Sequence, residues 1–282
     1  MTDKYDFSIV TPSFNGLSYL KLCSASIADQ QGASFEHIVV DGGSSDGTSE
    51  WLKTQNRIKS VSEKDEGMYD AINKGVKMAS GSIIAYLNCD EQYLPETLTY
   101  VKDFFEQHPE ASVVFGDALL VRPNGSLIGH RKSYSPKLPY ILSSHLYILS
   151  CTMFFRRQVF DDGNFFDKQF RDLGDTAFVV RLLQRRYRFL HFKKYLSVFT
   201  MTGSNMSIGR NALLEQQRMR SETPRWIRTL AHPLNIARLT EKALSRAYWQ
   251  KYPIHYDIYT LLNTSIRNHF SSHHATFRWK TA

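Results

Sequence analysis

SEKDEGMYDAINKGVKMASGSIIAYLNCDE, residues 62–91, puts a helix and a strand in immediate succession. Met68, Ile72, Val76 and Ala79 recur at helical spacing on one face, and Asp70, Asn73, Lys74 and Lys77 occupy the other. The apolar run Ser82–Leu87 follows a Ser-Gly break, and its end delivers Asn88, Asp90 and Glu91. An amphipathic helix leading into a buried strand predicts a helix packed on a parallel sheet, with polar groups held at the strand's C-terminal end.

The same alternation extends in both directions. FSIVTPSFNG (7–16) predicts a short buried strand broken by Pro12 and Gly16, followed by a helix on which Leu17, Leu20, Ser24 and Ile27 share a face. HIVVDGGSSDGT (37–48) predicts a strand over His37–Val40, a loop over Asp41–Gly47, and a helix from Thr48 to Gln55 capped by Thr48 or Asp46. Further on come a helix starting near Pro95, a strand SVVFGD (112–117), and a hairpin over residues 118–131 turning at Pro123–Asn124–Gly125. Residues 134–209 are mixed, with an apolar run ILSSHLYILSCTMFF and a helix around TAFVVRLLQRR. Strands alternating with helices predict an α/β fold, and no repeat of 20–50 residues is visible.

Composition limits the alternatives. With 282 residues, 42% hydrophobic and 22% charged, the chain can bury a large core, which excludes a disordered protein and a disulfide-stapled miniprotein. Cys23, Cys89 and Cys151 lack metal-ligand spacing and are expected as buried free thiols. No run approaches the roughly 18 apolar residues of a membrane span, and MTDKYDFSIV lacks the pattern of a signal peptide, so a cytoplasmic protein is expected.

The net charge of +8 is localised. Residues 210–282 hold 12 of the 35 Lys and Arg but only 4 of the 27 Asp and Glu, whereas the first 209 residues hold 23 of each. LLEQQRMR, NIARLTEKALSRAYW and IYTLLNTSIRNHF in this tail are expected as basic amphipathic helices separated by Pro224, Pro233 and Pro253, with a domain boundary near residue 209. Trp226, Tyr248, Trp249, Phe270 and Trp279, interleaved with the basic residues, suit an anionic bilayer surface; packing on the main body or a homodimer contact stays open. Nothing in the tail matches a nucleic-acid-binding motif, and no nucleic-acid partner is expected.

Carboxylates gather at strand ends. Asp41 follows HIVV, Asp65 follows SVSEK and Asp90 follows IIAYLNC, so parallel strands would aim acids at one edge of the sheet. Like charges held together repel unless a cation joins them, and oxygen ligands select Mg2+ or Mn2+. Helix capping is the alternative duty for Asp41, Asp46, Asp65 and Asp90.

The chain resembles the inverting glycosyltransferases of family 2. Four blocks carry the likeness: VTPSFN (10–15), VVDGGSSDGT (39–48), residues 62–91, and GNFFDKQFRDLGDTAFVVRLLQRRY (163–187). No Walker-type lysine loop or GxGxxG follows the first strand.

The resemblance implies a GT-A fold, with a Rossmann-like, mostly parallel sheet flanked by helices. It spans residues 1–209, with a nucleotide-sugar half to about 116 and an acceptor half from 117, followed by a basic helical extension. It implies that Thr11, Pro12, Ser13 and Asn15 surround the base and ribose of a UDP-sugar, that Asp41 accepts a hydrogen bond from uracil, and that Asp65 lies near the nucleotide. The family's metal-binding DxD motif falls on Asn88–Cys89–Asp90, with an amide at the first position, so Asp90 would bind Mn2+ or Mg2+. Glu91 would assist from behind or be a solvated loop residue. Asp175 matches the catalytic base, with Asp172 as runner-up and a helix cap as the alternative duty, while Gly203–Ser207 would form a lid or an ordinary turn. The implied acceptor is a surface glycan, lipid-linked, at the inner face of a bacterial membrane, as in lipopolysaccharide assembly. A nucleotidyltransferase and a non-catalytic scaffold are the rival readings.

Overall fold

The computed structural model describes residues 5–203 and 210–276. Strand β1 (Tyr5–Ser13) leads to α1 (Leu17–Ala28), β2 (Phe35–Asp41), α2 (Thr48–Lys53), β3 (Ile58–Ser62), α3 (Met68–Met78) and β4 (Gly81–Tyr86). Next along the chain are β5 (Glu91–Tyr93), α4 (Thr97–Gln107), the hairpin of β6 (Val113–Val121) and β7 (Leu127–Arg131), and α5 (Leu138–Ser143). After these come β8 (Met153–Arg156), α6 (Gln158–Asp161), α7 (Gly174–Gln184) and β9 (Phe189–Thr200). The remainder holds α8 (Arg210–Glu222), α9 (Arg225–Thr229), α10 (Ala231–Leu244), β10 (Ile254–Thr260) and β11 (Asn263–Ser272).

Nine strands form one sheet in the order β3-β2-β1-β4-β8-β6-β9-β5, with β7 paired on β6. β1 to β4 are mutually parallel, so the loops after all four strands open at one edge. The apolar runs of β1, β2 and β4 are buried because both faces of the sheet are covered there, whereas the edge strand β3 is largely exposed. Val10, Ile84 and Tyr86 pack with Ile72 and Phe178 beneath α3 and α7. Phe7, Ile9, Ile83 and Ala85 alternate to the opposite face, against Cys23, Ile27 and Phe105 of α1 and α4. Each such side chain contributes about 1.5–3 kcal/mol by burial. Helix α3 lies close on β1 because residue 75 is glycine: a Cβ there would meet Val10 Cγ1 at 2.3 Å.

Several expectations need correction. β1 runs through Pro12 to Ser13 instead of breaking there. Val10 O accepts from Leu87 N on the β4 side while Ser13 O accepts from Gly42 N on the β2 side. Pro12 shares the alternation of Val10, so its missing N–H faces the side where β4 has already ended. Asp70 and Asn73 of α3, assigned to the solvent face, are buried. The loop before α7 covers that flank, and Asn73 pairs with the Phe166 backbone in both directions, donating to its carbonyl and accepting from its N–H. Cys23 and Cys151 are buried free thiols, whereas Cys89 is only half-buried.

The largest correction concerns the tail. IYTLLNTSIRNHF belongs to a β-hairpin, not a helix. Ile254, Tyr256 and Ile258 alternate inward onto Leu119, Val121 and Val198, which is strand periodicity and adds a third apolar cluster to the body. Arg267 secures this hairpin with hydrogen bonds to the Asp29 carboxylate and to the carbonyls of Ser26, Tyr93 and Asp257. Gln92 pairs through its side-chain amide with both backbone groups of Tyr259. No helix among the described residues is long and apolar enough to cross a membrane.

Candidate active site

One cavity of about 1730 Å³ opens at the edge where the parallel strands end. Its wall includes Pro12 and Ser13 at the end of β1 and Asn15 after it, Asp65 after β3, Asn88 and Asp90 after β4, and Asp172 and Asp175 at the start of α7. Residues from both halves of the chain thus meet around one space.

Two of the expected lining residues do not bring their side chains to that wall. Thr11 is fully buried, with its hydroxyl 2.9 Å from His37 Nε2. Asp41 is also fully buried; it accepts from the Ser44 hydroxyl and, at 2.5 Å, from the Ser62 hydroxyl. Both sit inside the strands, where their polar atoms must find partners within the protein. Asn15, at φ 49°, ties the first loop to the second: its Oδ1 accepts from Ser45 N at 2.9 Å, and its N–H donates to Ser44 Oγ at 2.7 Å. Asp46 accepts from the N–H groups of Leu17 and Thr48, and so braces the starts of both α1 and α2. Asp65 lines the cavity and accepts from Gly67 N at 2.8 Å just ahead of α3, without capping the helix itself, whose first-turn N–H groups receive no side-chain cap among the described residues.

Oxygen atoms cluster where β4 ends. Glu91 is fully buried rather than solvated; it begins β5, the last strand of the sheet, and sits opposite Phe199 of β9. Its Oε2 accepts from Asn88 N at 2.8 Å, while its Oε1 and Asn88 Oδ1 are buried without a hydrogen-bond partner among the described residues. Burial pushes the Asp90 carboxyl up, and burial together with the charge of Asp90 pushes Glu91 up further. Unsatisfied buried oxygens beside crowded carboxyls are what a divalent cation would relieve, so the donor set fits one. Among the described residues no three His, Cys, Asp or Glu side chains converge as a metal cage. Mg2+ commonly takes one or two carboxylates and completes its shell with water and phosphate oxygens.

Asp175 sits half-buried in the first turn of α7, where Oδ1 accepts from Thr176 N at 2.6 Å. Burial pushes its carboxyl up to about 6. Three residues that sequence reasoning did not single out fix its position. Tyr69 O–H donates to Asp172 O at 3.3 Å and accepts from Asp175 N at 3.2 Å. Gly174 leaves room for that ring, since a Cβ would meet Tyr69 Cε2 at 2.5 Å. Glu215, on α8, accepts backbone N–H bonds from Arg171, Asp172 and Leu173 at 2.5, 3.0 and 2.8 Å. Phe14 is a further residue that the sequence reading missed. Its ring lines the rim and is 66% exposed, and an aromatic side chain in a strand-to-helix turn was the available signal. Of the glycine- and serine-containing segment 203–207, residues 204–207 lie outside the described residues.

Comparison with known proteins gives concordant matches. The profile described as glycosyl transferase family 2 matches residues 8–165. A PGL/p-HBAD biosynthesis glycosyltransferase of Mycobacterium tuberculosis is 31% identical over 181 residues, covering 62% of this chain and 68% of that protein. Poly(ribitol-phosphate) beta-N-acetylglucosaminyltransferase TarS of Staphylococcus aureus is 24% identical over 218 residues, covering 71% of this chain and 37% of TarS. Among solved structures, TarS 1–349 in complex with UDP-GlcNAc aligns with a TM-score of 0.58 at 19% identity, over 84% of this chain and 72% of the other. The mannosyltransferase PcManGT from Pyrobaculum calidifontis, in complex with GDP-Man and Mn2+, aligns with a TM-score of 0.53 at 16% identity, over 88% and 82%. At these identities the structural matches establish a shared GT-A fold.

Proposed function

Because this chain belongs to glycosyltransferase family 2, we propose that it transfers a sugar from a UDP-sugar, with inversion, to a hydroxyl of a glycan or glycolipid acceptor. The observation that carries this reading is the half-buried Asp175 carboxyl on the same cavity as Asn88 and Asp90. Inverting transfer needs one acid to take the acceptor's proton, away from the groups that hold the leaving diphosphate.

Asp175 is the base in this scheme. Oδ1 is occupied by Thr176, and Oδ2 has no hydrogen-bond partner among the described residues, so it is available to an acceptor hydroxyl. A carboxyl titrating near 6 is ionised at neutral pH yet basic enough to draw a proton as the alcohol attacks. Asp172 is the weaker candidate, since its backbone serves the network that orients Asp175. Asn88, Asp90 and Glu91 would hold Mn2+ or Mg2+, which supplies Lewis-acid charge to the departing diphosphate. Pro12, Ser13, Asn15 and Asp65 would border the nucleotide, with Ser13 Oγ buried and lacking a partner among the described residues. Phe14 offers its face to the base. Thr11 and Asp41 act from behind by fixing His37, Ser44 and Ser62.

The tail suits a peripheral position on the inner face of an anionic membrane, where a lipid-linked acceptor is presented. Leu213, Leu214, Trp226, Ile236 and Leu244 on α8 to α10 are all more than half exposed, in a segment rich in arginine. The first test is incubation with Mn2+ and a panel of UDP- and GDP-sugars. Slow release of UDP is the expected outcome; release of GDP alone, or of no nucleotide, would sink the donor assignment.

A further inference from the structure

Strand β8 runs antiparallel beside β4, with Ala85 opposite Phe154. The single 3-10 turn Ser150–Thr152 that leads into β8 therefore comes up beside the residues that follow β4. Ser150 is half-buried there and lines the cavity together with Tyr86, Asn88, Asp90 and Asp175.

Tyr86, the last residue of β4, belongs to an aromatic bed beneath the first turn of α7. Its ring meets Phe166 edge-on at 5.3 Å, and Phe166 stacks on Tyr69 at 5.5 Å and on Phe178 at 4.1 Å. Tyr69 touches Asp175 through its hydroxyl, and Phe178 lies one turn past Asp175 on α7. Tyr86 thus bridges from Asn88, two residues on in the chain, to the carboxyl that faces the acceptor.

Only 2% of Tyr86 is exposed, and its hydroxyl is buried without a hydrogen-bond partner among the described residues. Burial, then the charge of Asp175, push the phenol up while the Ser150 hydroxyl acts the other way, so both groups stand near its oxygen. A phenol is in any case a donor at neutral pH. Leaving such a hydroxyl unpaired in the interior is destabilising, and phenylalanine would fill the same bed without that cost. The position therefore points to a partner that arrives with the substrate.

A sugar joined to a diphosphate at Asn88 and Asp90, and attacked by an alcohol held on Asp175, has its ring along this stretch of wall. We propose that Ser150 donates a hydrogen bond to a hydroxyl of the transferred sugar, with Tyr86 as a positioning residue that donates to Ser150 from behind, so that the pair selects the sugar. A serine hydroxyl can accept one bond while its own proton is given to another oxygen, and hydroxyls in series polarise one another. The inference rests on the transferase reading and deepens it by naming a selector for the donor's sugar.

The test is calorimetric titration of the full chain, in Mn2+, with UDP, UDP-glucose, UDP-galactose, UDP-N-acetylglucosamine and UDP-N-acetylgalactosamine. Ser150→Ala should weaken the preferred UDP-sugar about tenfold while leaving UDP within about twofold. It should also narrow the preference between that sugar and its 4-epimer, because a hydroxyl-reading group has been removed. Tyr86→Phe should cost about threefold, and the double variant should lose no more than Ser150→Ala alone, since Tyr86 acts through Ser150. Without ligand, Tyr86→Phe should melt no lower than wild type, because its hydroxyl has no bond to lose. Unchanged UDP-sugar affinity in Ser150→Ala, equal weakening of UDP, or a wild type indifferent to the epimers would overturn the proposal. Additive losses in the double variant would overturn the series arrangement. A wild type that binds GDP-sugars instead would bring down the donor reading alone, and the same variants titrated with GDP-mannose and GDP-glucose would then decide the subsite.

Discussion

The two walls of the cavity are built by different means. The strand-end wall comes from short, contiguous loops that brace one another: Asn15 with Ser44 and Ser45, Asp46 with Leu17 and Thr48, Glu91 with Asn88. The opposite wall is assembled from β7, α5 and the tail helices, and its key contact, Arg238 to Tyr134, spans 104 residues. The first wall is an acidic cradle fixed by parallel strands; the second is a basic surface carried on separately placed helices. We read the contrast as a division of labour, with nucleotide and leaving group on one side, acceptor on the other, and Asp175 between them.

The sharpest way to break that division is Asp175→Asn. Transfer should fall by about 100-fold or more while UDP affinity stays within a factor of two, since the residue serves the incoming alcohol. A parallel loss of UDP affinity would mean that the walls are not separable. The pH profile sharpens the same point. Burial raises the Asp175 carboxyl to about 6 and the base works only when ionised, so wild-type turnover should fall as pH drops through about 6. The residual rate of the Asn variant should be flat there.

Glu215→Ala comes next. It strips the acceptor from three backbone N–H groups ahead of α7 and should cost about 2–3 kcal/mol of stability. Saturating turnover should fall about tenfold with little change in UDP affinity, and Glu215→Gln should recover part of it because an amide oxygen still accepts hydrogen bonds. Equal turnover in wild type and Glu215→Ala would show that Asp175 is oriented by Tyr69 alone. The smallest effect is expected from Phe14→Ala, on the other wall: UDP affinity should weaken about fivefold to tenfold, as for loss of one base-stacking ring, with turnover at saturating donor unchanged.

The same contrast explains what was legible in the sequence. α3 and β4 could be read because helical periodicity and a buried apolar run sit side by side, and the loops after β1 to β4 could be read because their polar residues cluster within ten positions. Asp41 and Thr11 look like cavity residues in the sequence because it marks the strand end but not the direction of a side chain. The β10–β11 hairpin escapes a sequence reading because its turn, Leu261–Leu262, holds none of the Gly, Asn or Asp residues that announce one. Ile258, Leu261, Leu262 and Ile266 also fall at helix-like spacing. Glu215 and Arg238 carry no local signal at all. The role of Glu215 arises only when α8 folds back on residues 42 to 44 positions away.

The carboxylate bridge from α8 to the loop before α7 has a practical consequence for chimeras. A cut after residue 209 looks natural from the charge distribution, yet it would strip the loop before α7 of its brace and expose the apolar strip beneath the hairpin. Anyone swapping acceptor modules onto this scaffold should move the crossover point, carrying the first tail helix with the donor half and exchanging only the later helices.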